Sequence, residues 1–179
     1  MSYIIAIAAI AAMIGLDQWV KWLAVTHLQN APDIPLVEGV FRLAYVENRG
    51  AAFGLLDGGR WVFVVLTALV LCAIAVYFVR LPKTKQTRLL RAALIILCGG
   101  ALGNFIDRAR QGYVVDMFYF HWFEFPVFNV ADILTVCSTF LLCAMILFPK
   151  AFKTEFMLGG EKKETQTENT AEETHADTD

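Results

Sequence analysis

Four stretches of the chain stay apolar long enough to cross a bilayer as a helix, which takes about 20 residues. They run from about Tyr3 to Val25, from Trp61 to Val79, from about Leu89 to Ile106 and from about Val130 to Phe148. The first is interrupted only by Asp17 and Lys21, and the third carries Arg91 near its start. The second has no charge at all. A soluble bundle needs polar outer faces on its helices, and Trp61–Val79 offers none. The first stretch lacks the basic start and the small-residue cleavage site of a removable signal peptide, so it reads as a retained span.

The connections between spans carry the orientation. Arg80, Lys83, Lys85, Arg88 and Arg91 cluster between the second and third spans with no acid among them, and Lys150 and Lys153 follow the fourth. Basic loops stay on the cytoplasmic side, so both termini are expected there. The segments near 26–60 and 107–129 then face outward. Between Asn30 and Gly59, Pro32 and Pro35 punctuate the chain and Phe41–Val46 partly alternates, which predicts extended structure with turns. Phe118–Phe128 is dominated by aromatics: an interfacial belt, or a shelf for lipid or apolar peptide. The expected fold is an all-α polytopic membrane protein of four transmembrane helices with a small extracytoplasmic β-containing segment. Residues 1–150 form the membrane domain, and residues 151–179 an acidic cytoplasmic tail whose composition predicts disorder.

Composition sharpens this picture at a few points. The chain is 58% hydrophobic and 18% charged, against about 25% charged in soluble domains. Its net charge of −2 owes much to the tail, where the residues from Glu161 onward hold seven acids and two lysines. No basic stripe with interleaved aromatics suggests nucleic acid. Cys72, Cys98, Cys137 and Cys143 all fall in apolar runs and read as small buried hydrophobes rather than a disulfide framework.

The candidate chemistry lies in acids placed where acids are expensive. Asp116 and Asp132 bracket the aromatic outer loop and are brought to one membrane face by the topology. Two carboxylates meeting in a low-dielectric pocket resist joint ionisation, so one keeps a proton. That is the chemistry aspartic peptidases use. Each acid also has an innocent reading. Asp116 could be an exposed loop acid, and Asn129 with Asp132 could be a helix cap. Asp17 and Lys21, four apart on one helical face, form an ion pair or support a site. Gly99 to Gly103 spells GxxxG, a close-packing signal. Asn104, Asp107 and Arg108 follow on the next turn, where the arginine could fix a neighbouring carboxylate. Other peptidase chemistries find little material. Ser2 and Ser138 are the only serines, and His27, His121 and His175 are scattered with no HExxH. A small ion- or proton-coupled carrier is the rival reading, although carriers place their sites near the midplane, often at repeat interfaces.

Four motifs in order resemble those of the lipoprotein signal peptidase (signal peptidase II) family over roughly residues 1–150. They are Asp17-Gln18-Trp19-Val20-Lys21, Asn48-Arg49-Gly50-Ala51-Ala52-Phe53-Gly54, the run from Gly99 to Arg108 continuing into Val114-Val115-Asp116, and Phe128-Asn129-Val130-Ala131-Asp132. Met117 stands where the family usually has phenylalanine. The resemblance implies a bacterial inner-membrane aspartic endopeptidase that cleaves prolipoproteins just before a diacylglyceryl-modified cysteine. It implies a catalytic pair of Asp116 and Asp132, with Asn48, Gly50, Asn104, Asp107, Arg108 and Asn129 lining or bracing the site and Asp17 and Lys21 in support. It further implies sensitivity to the cyclic peptide globomycin. No metal or organic cofactor is expected, and the expected partners are diacylated prolipoproteins and membrane lipid, with the enzyme a monomer.

Overall fold

The computed structural model describes residues 2–50, 60–123 and 125–154. Its elements are α1 (Tyr3–Leu28), β1 (Ile34–Val37), β2 (Phe41–Asn48), α2 (Arg60–Arg80), α3 (Arg88–Gln111), β3 (Val114–Phe120), α4 (Val130–Leu147) and the single-turn α5 (Pro149–Phe152). Four of the helices, α1 to α4, are long and apolar enough to cross a membrane. The acidic tail expected beyond residue 150 lies mostly outside the described residues, which end as α5 and Thr154 fold back on the bundle. There Thr154 Oγ1 donates to the Met145 carbonyl at 2.7 Å.

Two helices outrun their apolar stretches. Hydrophobicity alone stops the third span at Ile106, yet α3 continues to Gln111. The charges at 107 and 108 do not break a helix whose backbone bonds are already satisfied within it. The stop comes at Gly112, whose left-handed backbone (φ 87°) lets its N–H reach the Arg108 carbonyl at 3.2 Å. Likewise α1 passes Val25 and ends at Leu28.

Small residues set how closely the helices approach α3. A side chain at Gly103 would put its Cβ 2.6 Å from Asp17 Oδ2 on α1 and 3.0 Å from Ala131 Cβ on α4. At Gly100 a Cβ would meet the Ala131 carbonyl at 2.6 Å. These glycines therefore let α1 and α4 both press close against α3 at the level where the acids lie. The helix α2 packs on α3 and has no buried residue of its own.

The sheet corrects the expected β segment. Its strand order is β1-β2-β3, all antiparallel, and the third strand comes from Val114–Phe120 rather than from the segment before residue 60. Asp116 is therefore not in a loop; it pairs with Val46 in the ladder. The strand is hard to recognise because Val114 to Met117 are buried on both faces and show no alternation. One face packs on the end of α1, where Ala24, Leu28, Val115 and Met117 form a core. A second core, Leu81, Leu90, Leu94 and Met145, closes the opposite end of the bundle.

Candidate active site

The site grows from the start of α4. Asn129 caps this helix by accepting the Asp132 N–H on Oδ1 at 2.9 Å, while Asp132 Oδ2 accepts the Asn129 N–H at 3.1 Å. This reciprocal cap leaves the Asn129 amide group free to donate. Its Nδ2 reaches Asp116 Oδ1 at 2.6 Å and Asn104 Oδ1 at 3.2 Å. One side chain thus touches both candidate acids, and the cap and the acidic pair turn out to be a single structure.

Asp116 receives its second bond from β2. Asn48 and Asp116 are diagonal neighbours across the β2–β3 ladder, since Asn48 pairs with Val114 and Asp116 with Val46. Asn48 Nδ2 donates to Asp116 Oδ2 at 2.9 Å, and the Gly50 N–H holds Asn48 Oδ1 at 3.3 Å. Asp116 is 1% exposed. Burial and then the neighbouring Asp132 charge push its pKa from 3.8 up to about 6, against the pull of the two asparagine amides.

Asp132 takes its other bond from α3, where Asn104 Nδ2 donates to Oδ1 at 2.7 Å. The Asn104 amide can face only one way. Lysine only donates, and Lys21 Nζ lies 2.9 Å from Asn104 Oδ1. The oxygen must point to Lys21 and the NH₂ to Asp132.

Beneath this pair lies a second acidic cluster. Lys21 Nζ is 2.9 Å from Asp17 Oδ2 and 2.9 Å from Asp107 Oδ2, with all three residues buried. Gln18 Nε2 donates to Asp107 Oδ1 at 2.9 Å and lies 3.3 Å from Asp17 Oδ2 and from the Gly103 carbonyl. Asp17 Oδ1 accepts the Ala131 N–H of α4 at 2.9 Å, and Asp107 Oδ2 accepts the Val115 N–H of β3 at 3.3 Å. The expected ion pair of Asp17 and Lys21 is present and ties four elements together. Gln18 lies within the first motif, but nothing in its spacing marks it for this role.

Arg108 behaves differently from the expectation that it fixes a carboxylate. Its guanidinium stands 5.0 Å over the Phe63 ring of α2, and it makes no ion pair among the described residues. With Asn48, Gly50 and Asp132 it lines the head of a cleft of about 470 Å³. The remaining walls are Phe125 to Phe128 and the Ile133, Val136 and Cys137 face of α4. Of the second motif, residues 51–54 lie outside the described residues. Among the described residues no group of three or more His, Cys, Asp or Glu is arranged to hold a metal ion.

Two solved structures of bacterial membrane enzymes, determined by the in meso method, share this architecture. One matches with a TM-score of 0.75 and 26% identity over 92% of this chain and 96% of its own. The other has a TM-score of 0.71 and 28% identity over 81% and 94%. Four membrane-length helices, these neighbours and a polar-headed apolar cleft define an integral membrane enzyme. The family model for signal peptidase (SPase) II matches residues 9–148. Lipoprotein signal peptidases from Halalkalibacterium halodurans (41% identity, covering 86% of this chain and 92% of that protein), Symbiobacterium thermophilum (44%, 79% and 91%) and Brevibacillus brevis (48%, 68% and 80%) are similar along most of their length. The chain belongs to the signal peptidase II family and is a peptidase.

Proposed function

We propose that this chain is an aspartic endopeptidase that removes the signal peptide from bacterial prolipoproteins before a diacylglyceryl-modified cysteine, with Asp116 and Asp132 as its catalytic pair. The observation that carries this reading is the Asn129 cap, which binds Asp132 through its backbone N–H and Asp116 through its amide at the head of an apolar cleft. The cleft runs along α4, whose Ile133 and Val136 are 43% and 50% exposed. An acyl-bearing substrate enters sideways from lipid and meets the acids without leaving an apolar surface.

The two acids divide the work. Asp132 lies at the third position of α4, where the helix dipole favours an anion, and Lys21 polarises the Asn104 amide that donates to it. Asp132 is the ionised base. Asp116 touches only neutral amides and carries the proton. Asp132 takes a proton from water as the water oxygen attacks the scissile carbonyl carbon, and Asp116 gives its proton to the carbonyl oxygen. Collapse of the diol returns a proton to Asp116, Asp132 protonates the leaving nitrogen, and the C–N bond breaks. The pair titrates as one unit through these steps.

The orientation follows from charge. Arg80, Lys83, Lys85 and Arg88 join α2 to α3 without an acid, which supports a cytoplasmic placement for that turn and for both termini. The sheet and the acids then lie at the outer leaflet of the bacterial cytoplasmic membrane. Incubating the purified chain with a diacylated prolipoprotein tests the proposal. The parent releases the signal peptide and globomycin blocks the release, whereas Asp116→Asn and Asp132→Asn insert normally and do not cleave. Full activity in either variant removes that residue from the pair.

A further inference from the structure

At the end of the bundle remote from the acids, an arginine is buried with donors to spare. Arg91 is 1% exposed. Its Nη1 donates to the Phe78 and Leu81 carbonyls, each at 3.0 Å, which closes the last turn of α2. Its Nε and Nη2 are buried without a hydrogen-bond partner among the described residues. A buried cationic donor left unpaired is costly, and no acid among the described residues lies at this end. The described acids are Asp17, Asp33, Glu38, Glu47, Asp107, Asp116 and Asp132, all in the site or around the sheet. This end instead gathers Arg80, Lys83, Lys85, Arg88, Lys150 and Lys153.

The guanidinium adjoins an empty groove. Its Cζ is 3.9 Å from the Phe78 ring centroid and 5.9 Å from that of Tyr3. Both rings line a groove of about 340 Å³ between α1, α2 and α3 whose walls are wholly apolar. Lys83 Nζ sits 3.9 Å from the centroid of the same Tyr3 ring. Tyr3 is 41% exposed, and its ring neighbours both the lysine and the guanidinium.

We propose that this groove binds an anionic glycerophospholipid, one acyl chain between α1, α2 and α3 and its phosphate on Lys83 with Nε and Nη2 of Arg91. An apolar slot ending at two cations complements a molecule that joins an acyl chain to a phosphate. The chain's own acidic segment after Glu161 has the charge but only Ala171 and Ala176 as apolar side chains, so it cannot fill the slot. The site is separate from the acidic pair and does not depend on the peptidase chemistry.

Native mass spectrometry of the full chain in detergent tests this, with phosphatidylglycerol and phosphatidylcholine of matched acyl chains as probes. One phosphatidylglycerol per chain is expected to bind about tenfold more tightly than phosphatidylcholine. Lys83→Gln and the groove-filling Ala75→Trp, checked for unchanged helical content by circular dichroism, each abolish that preference. Lys150→Gln, on a lysine outside the groove, keeps it. Equal binding of the two lipids, or a preference that survives both Lys83→Gln and Ala75→Trp, overturns the proposal. So does a rise in phosphatidylglycerol binding when the seven tail acids are changed to amides, because the tail would then be the occupant.

Discussion

Two pairs of carboxylates lie close together in this bundle, and they are dressed in opposite ways. Asp17 and Asp107 share the Lys21 ammonium at 2.9 Å each. Among the described residues Asp116 and Asp132 make no ion pair; their side-chain partners are the amides of Asn48, Asn104 and Asn129. A directly bound lysine shared by two acids ties their positions together, which suits a structural joint. Neutral amides position a carboxylate while leaving its proton free to come and go, which suits acid–base work. The neighbours therefore distinguish the acids proposed to work from those proposed to brace where burial alone does not, since Asp17, Asp107 and Asp116 are all buried.

The contrast can be broken at several points. Asp116→Asn or Asp132→Asn should slow prolipoprotein cleavage by about 100- to 10,000-fold with helical content unchanged, as steady-state kinetics would show. Lys21→Met strands two buried acids and should cost about 3–5 kcal/mol of stability, read from the unfolding midpoint in detergent. If that variant stays as stable as the parent yet loses activity, the bracing role is wrong. Gln18→Met should cost about 1.5–3 kcal/mol, because it removes hydrogen bonds to charged groups, with little change in kcat. A large fall in kcat at parental stability would move Gln18 into the working group.

The smallest effect is a slope with pH. The folded-state pKa of Asp116, about 6, lies above its ordinary 3.8. Between those values the unfolded chain has released a proton that the folded chain keeps, so raising the pH favours unfolding. Relative to Asp116→Asn, the parent should lose stability as pH rises through that window and level off above it. Thermal midpoints taken across it would show whether the proton resides where the neutral amides leave room for it.

Most of the architecture is legible in the residues. Long, predominantly apolar stretches mark all four spans, because a helix facing lipid must be mostly apolar along its length. The ends are less legible. Asp107 and Arg108 look like a boundary, yet α3 continues because Asp107 is neutralised by Lys21 from another helix. The strand through Asp116 escapes pattern reading because both its faces are covered, and its partner β2 is remote in the chain. The site residues announce themselves as polar groups in costly places, whereas their division into two clusters does not. That division depends on which oxygen faces which donor, and only the packing of α3 between α1 and α4 decides it. The direction of Arg108 is likewise a packing result, set by the Phe63 ring on α2.

The bond from Asp17 to the Ala131 N–H joins the opening span to the closing one. During synthesis, a nascent polypeptide carries its first motif into the bilayer long before the residue that completes this joint has been translated. On the proposed assignment of Asp132, hydrolytic competence therefore waits for the final span. A truncated product stalled in the membrane lacks the means to cut its neighbours.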